Sequence, residues 1–152
     1  MAANDAIALL KADHQEVADI LERFEKARSN TKEKLAQQIC DALTVHAQIE
    51  EEIFYPAARE ALGDEGEDLL NEAKVEHESL KELITKIEES GSDDELFEAN
   101  VKVLGEYVKH HVKEEQNEIF PKCRKSDMDL TALGEQLAER KKQLMSEMKA
   151  AA

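Results

Sequence analysis

The amino-acid sequence predicts an all-α domain: an up-down-up-down four-helix bundle followed by an additional C-terminal helix. Three observations carry this. Ala, Leu, Glu, Lys and Gln dominate a chain of 152 residues that holds 5 glycines, 2 prolines and no tryptophan, too few turn signals for a sheet protein. Apolar residues recur at three-and-four spacing through successive segments. Short polar breaks separate these segments, so consecutive helices run antiparallel.

Asn4 and Asp5 can cap a first helix, whose face of Ile7, Leu10, Val17, Leu21 and Phe24 ends near Arg28. Ser29, Asn30 and Thr31, with Glu33, supply caps for a second; Leu35, Ile39, Leu43 and Ile53 carry it to about Leu62, where Gly63 and Gly66 break it. The third runs from about Glu67 to Glu89 on Leu70, Ala73, Leu80, Ile84 and Ile87. Ser92 and Glu95 read as a capping box for the fourth, whose Phe97, Val101, Leu104 and Val108 lead to Pro121. Pro56 should kink or end the second helix and Pro121 should end the fourth, each by removing a backbone donor. After the turn at Ser126 and Asp127, a fifth helix sets Leu130, Leu133, Leu137, Leu144 and Met148 on one side. Residues 1–125 thus read as the bundle, and 126–152 as an amphipathic helix packed on it or lying at a dimer interface, in a monomer or a homodimer.

With 35 acidic and 20 basic side chains the net charge is −15. That charge repels phosphate backbones and anionic lipid, so neither nucleic acid nor a membrane is an expected partner. The chain opens with no basic region followed by an apolar run, and no apolar stretch approaches a membrane span, so the cytoplasm is the expected compartment. Cys40 and Cys123, far apart, make neither a CxxC motif nor a disulfide framework and read as reduced thiols with no role in the chemistry.

The two halves repeat. At an offset of 63, Lys11-Ala12-Asp13-His14 falls on Lys74-Val75-Glu76-His77. At an offset of 65, His46, Glu50 and Pro56 fall on His111, Glu115 and Pro121. Each half is a helix with one histidine followed by a helix with HxxxE and a proline. His14, His46, His77 and His111 all lie on the apolar stripe of their helix and point inward. A lone inward histidine is commonly a hydrogen-bonded core residue, but four of them in one small core are too many for filler. Glu50 and Glu115 each follow a histidine by one turn on the same face, where an unpaired carboxylate is costly. No lysine or arginine stands at the matching interior positions, so a metal pair is the cationic partner that suits both imidazole and carboxylate. At about 1.5 Å rise per residue, His14 and His46 both lie roughly 20 Å from the turn joining their helices and share a layer. His110 lies about 100° around the helix from His111, so the repeat favours His111, with His110 kept as an alternate ligand or as a residue behind the ligands. A π-bulge would let His110 reach the same face as Glu115.

The order His14, His46-x-x-x-Glu50, His77, His111-x-x-x-Glu115, with IFYP and IFP after the glutamates, resembles the bacterial haemerythrin-like HHE cation-binding domain over roughly residues 5 to 121. The resemblance implies two iron ions inside the bundle, bridged by oxo or hydroxo and by Glu50 and Glu115, with the four histidines capping the irons; zinc or manganese could substitute. Invertebrate oxygen carriers have HxxxH on the third helix and HxxxxD on the fourth, whereas here Ala73 and Lys81 flank His77 and the fourth helix offers HxxxE. Fewer histidines leave more positions for an exogenous ligand. The expected function is binding of dioxygen, peroxide or nitric oxide, for sensing, storage or detoxification. The alternative is a di-iron enzyme that consumes peroxide in a catalase-like reaction or reduces nitric oxide, although no residue beyond the ligands is placed as a catalytic acid. A metal-free acidic helical interaction module is the third class.

Overall fold

Five helical rods account for the fold of residues 5–151, which a computed structural model describes, and no strand occurs among the described residues. The first rod is α1 (Ala6–Lys26). It starts where the Asp5 carboxylate accepts from the backbone N–H of Ala8 at 2.8 Å, a cap worth about 1 kcal/mol. The other expected cap, Asn4, lies outside the described residues. The second rod joins α2 (Ser29–Ile49), a π-helical turn (Glu50–Phe54) and α3 (Tyr55–Leu62). The third is α4 (Asp64–Glu89); the fourth joins α5 (Phe97–Glu114), a second π-helical turn (Glu115–Ile119) and α6 (Phe120–Lys125); the fifth is α7 (Leu130–Ala151).

Several local expectations are corrected. Gly66 does not break a helix but is buried inside α4, which starts at Asp64 rather than near Glu67. The chain reverses at Gly63 alone, with φ 57° and ψ −136°, a conformation that a Cβ atom would obstruct. At the start of α2 the flanking residue is Arg28, with no side-chain cap, and the Thr31 hydroxyl donates to the Arg28 carbonyl. The capping box at Ser92 and Glu95 does not form: Ser92 donates to Glu33, and α5 begins only after Asp94 has accepted from the N–H of Leu96.

Neither proline ends its rod. Pro56 and Pro121 sit in the first turn of α3 and α6, where a helix has no use for their missing N–H. The π turn before each one closes with an i→i+5 bond, from the Tyr55 N–H to the Glu50 carbonyl and from the Phe120 N–H to the Glu115 carbonyl.

The core divides into two apolar clusters. One holds Ile7, Leu10, Ile49, Ala73, Ile119 and Phe120 together with Leu133 and Leu137 of α7. The other holds Val17, Leu43, Leu80, Leu104 and Val108. Each inward histidine falls between the two along its own rod: His14 after Leu10 and before Val17, His46 after Leu43 and before Ile49, His77 after Ala73 and before Leu80, His111 after Val108 and before Ile119. A polar layer thus crosses the middle of the bundle. α7 lies against α1 and α2, burying the leucine stripe that otherwise would face water.

Candidate metal centre

His14, His46, His77, His111, Glu50 and Glu115 meet in that layer, all of them buried, the two glutamates completely. The rings of His14 and His46 are 4.9 Å apart and those of His77 and His111 are 4.8 Å apart. The interhelical packing thus brings both pairs into one layer. Ligand atoms of His14, His46, Glu50 and Glu115 lie within 4.8 Å of one another, and so do those of Glu50, His77 and His111. Glu50 belongs to both groups. Its Oε1 is 3.4 Å from His46 Nε2 and 3.1 Å from His77 Nε2. Glu115 spans the layer as well, with Oε1 2.9 Å from His14 Nε2 and Oε2 3.5 Å from His111 Nε2.

The outer nitrogen of each ring is held from a different rod. His46 Nδ1 donates to Asp13 at 3.1 Å, His77 Nδ1 to Glu51 at 2.8 Å and His111 Nδ1 to Glu76 at 2.6 Å. The side-chain amide of Gln116 meets His14 Nδ1 at 3.0 Å. At His46, His77 and His111 the carboxylate behind Nδ1 turns Nε2 to the centre and raises the basicity of the ring, as metal-binding histidines require. The partners obey the internal repeat: Asp13 and Glu76 serve the second histidine of their own half, and Glu51 and Gln116 serve the first histidine of the other half.

The residues fit a pair of cations. His14 Nε2, His46 Nε2, Glu50 Oε2 and Glu115 Oε1 are buried polar atoms that make no well-directed hydrogen bond, the 2.9 Å approach of His14 Nε2 to Glu115 Oε1 included, and all belong to this cluster. Four such atoms left without partners would be costly in a native core unless something cationic satisfies them. Imidazole nitrogens with carboxylate oxygens suit iron, zinc or manganese and do not suit calcium or magnesium.

The electrostatics point the same way. Burial would pull the His46 imidazolium down, but the charge of Glu50 and the bond to Asp13 outweigh it and hold the ring's pKa up at about 10. His111 is likewise opposed by burial, yet Glu115 and Glu76 raise it to about 11. Burial pushes the Glu50 carboxyl up, and the His46 and His77 contacts more than reverse this, leaving it well below the ordinary range. Protons on these rings and cations at their inner nitrogens are therefore alternative ways to neutralise the same carboxylates.

Sequence reasoning missed Tyr55, although it lies in the IFYP motif. Its buried hydroxyl contacts both glutamates, donating to Glu115 with Glu50 Oε1 3.2 Å away, and it lies 3.4 Å from His77 Nε2 and 3.3 Å from His111 Nε2. Burial and then the two carboxylates push the phenol well above its ordinary pKa, so it remains a proton donor. Five residues beyond Glu50, Tyr55 would stand about 140° away around a regular α-helix. The π turn draws it back to the Glu50 face. The signal that could have found it is the repeat, which pairs Tyr55 with Phe120; Phe120 lies parallel to His14, centroids 6.0 Å apart. Asp13, Glu51, Glu76 and Gln116 also went unassigned.

His110 is not in the layer. Its side chain is 68 % exposed, with Nε2 3.4 Å from Glu76, the acceptor behind His111. With Glu72, Glu76 and Glu114 it forms an outer acidic grouping, in which burial and the neighbouring acids raise the Glu114 carboxyl. Cys40 and Cys123 are free and buried away from the ligands, and burial pushes both thiols up to about 12, so neither is a nucleophile. A cavity of about 450 Å³ opens from the imidazoles past Leu43, Leu80, Ile84 and Val108 toward Glu51 and Lys81.

Comparison with known proteins agrees with this geometry. A model of the hemerythrin HHE cation binding domain family matches residues 5–123. Among curated proteins, a DNA nickase of Nostoc sp. is 29% identical over 119 residues, 76% of this chain and 32% of that protein. An uncharacterized hemerythrin-like protein of Schizosaccharomyces pombe is 25% identical over 110 residues, 72% of this chain and 54% of that one. The chain therefore spans between a third and about half the length of these relatives. Among solved structures, a hemerythrin HHE cation binding domain-containing protein of Mycobacterium kansasii, an Rv2633c homolog, superposes with a TM-score of 0.80 at 21% identity, over 94% of this chain and 88% of that one. No helix among the described residues is long and apolar enough to cross a membrane.

Proposed function

The chain belongs to the hemerythrin HHE cation-binding family, and from that premise we propose that it holds two iron ions and binds dioxygen, peroxide or nitric oxide at them, for sensing, storage or detoxification. The observation that carries this reading is the set of partnerless inward atoms on His14, His46, Glu50 and Glu115, beside a second group in which Glu50 is shared with His77 and His111. His14 and His46 would hold one cation, His77 and His111 the other, with Glu50 and Glu115 common to both. Iron there would supply reversible electron transfer to the bound small molecule.

The rest of the work falls to the chain. Asp13, Glu51 and Glu76 fix three rings with Nε2 inward. Tyr55 keeps a proton within reach of both carboxylates. The walls of Leu43, Leu80, Ile84 and Val108 admit a small uncharged molecule and disfavour bulk water. The acidic surface repels anions, which suits a neutral ligand. Two buried free thiols are in keeping with the cytoplasm. The DNA nickase is matched over only 32% of its length, and a charge of −15 argues against carrying a nucleic-acid activity to this chain.

Tyr55 favours a second reading, turnover of peroxide or nitric oxide, because a buried hydroxyl next to the ligands is a proton source that a simple carrier does not need. One experiment separates the readings: metal content of the purified protein, then peroxide consumption by the iron form. Two iron equivalents with stoichiometric binding support the binding protein. Rapid peroxide loss, abolished in His46→Ala, supports the enzyme, and absence of any bound metal under iron-replete conditions overturns both.

A further inference from the structure

α7 lies outside the residues matched by the family model, yet one of its side chains reaches the wall of the metal centre. Lys141 Nζ donates to Asp13 Oδ1 at 2.6 Å, and Asp13 Oδ2 accepts from His46 Nδ1 at 3.1 Å. Asp13 is 7% exposed, in an interior that already contains Glu50 and Glu115. A third carboxylate in that place needs a hydrogen-bonding cation beside it to stay inside. Glu51 has such a partner too, Lys81 donating to it at 2.6 Å, while His110 stands 3.4 Å from Glu76. Those groups come from the bundle itself and are more than half exposed, whereas the Lys141 side chain is 28 % exposed and comes from the added helix.

We propose that Lys141 is a positioning residue of the metal centre: it holds Asp13 turned toward His46, so that α7 completes the cation position formed by His14, His46, Glu50 and Glu115. Without Lys141, the Asp13 carboxylate turns out to water, and the His46 ring loses the acceptor that aims its Nε2 inward. The position of His77 and His111, backed by Glu51 and Glu76, is unaffected. This inference rests on the two-cation reading above.

The test is titration of the full-length protein, stripped of metal, with Co²⁺, following d–d absorption and calorimetric stoichiometry in the parent, Lys141→Gln, Lys141→Arg and, as a control on the same helix, Lys142→Gln. The parent takes up two equivalents. Lys141→Gln binds one equivalent as the parent does and the other about 10–100-fold more weakly, with altered d–d bands for that ion alone. Lys141→Arg restores the parent's affinity, and Lys142→Gln matches the parent. The role of Lys141 is overturned if Lys141→Gln binds both equivalents like the parent, or if it weakens both equally along with a lowered melting temperature. A parent that takes up no cobalt overturns the two-cation reading itself.

Discussion

The hydroxyl of Tyr55 donates to Glu115 across the bundle, while Phe120, which repeats Tyr55 in the second half of the chain, lies parallel to His14 and donates nothing. The two groups of ligand atoms are therefore unlike: a phenol lies beside His77 and His111, and a phenyl ring beside His14. Tyr55→Phe removes only that oxygen. The expected result is a loss of about 1–2 kcal/mol in the metal-free protein, read by urea denaturation, with two cations still bound. Loss of one equivalent in the variant would show that the phenol oxygen itself holds a cation.

Glu50 is shared by both groups of ligand atoms, and His46 belongs to one. Glu50→Ala is expected to lose both metal equivalents, and His46→Ala to lose one, as read by elemental analysis of the purified variants. The loss in each case exceeds the roughly 10–100-fold that an outer hydrogen-bond partner is worth.

Stability without metal should depend on pH in a defined direction. His46 at about 10 and His111 at about 11 stand above the value of 6.5 that such rings have in an unfolded chain. The stabilisation they contribute is complete below about pH 6.5 and is lost as pH rises toward 10 and 11. Glu50, held low, contributes in the opposite sense: its share is present above about pH 4.5 and is lost as pH falls. Metal-free protein melted between pH 5 and 10 should lose stability steadily above neutrality, and His46→Gln should flatten that decline. Metal uptake near pH 7 should release protons, measurable with an indicator in weak buffer.

Val108 borders the cavity that leads to the imidazoles. Val108→Phe would fill open space, so it should cost less than the roughly 1–3 kcal/mol of overpacking a closed core. Association of nitric oxide or peroxide with the iron form should slow in stopped-flow measurements while metal content stays at two equivalents. Unchanged association would mean that the ligand enters by another route.

Much of the centre was legible because it is written in local spacing. HxxxE places two donors one turn apart on any helix, and the stripes that bury Leu10, Leu43, Leu80 and Val108 also turn the four histidines inward. The repeat separated His111 from His110 for the same reason. The residues behind the rings were not legible, since His14 finds Gln116 at a separation of 102 residues and Lys141 finds Asp13 at 128. The prolines misled because an α-helical register was assumed through Glu50 and Glu115, where a π turn adds a residue without leaving a mark in the apolar pattern.

What the sequence by itself determined was the all-helical bundle and the six inward polar residues, because side-chain periodicity dictates which residues of a helix face a core. What only the tertiary structure decided was the register between rods, which sets the side chain behind each ring, brings Tyr55 to Glu115, and lets α7 lay Lys141 against Asp13. These contacts depend on fractions of a helical turn between segments far apart in the chain, and packing of whole faces fixes that offset where no single helix can.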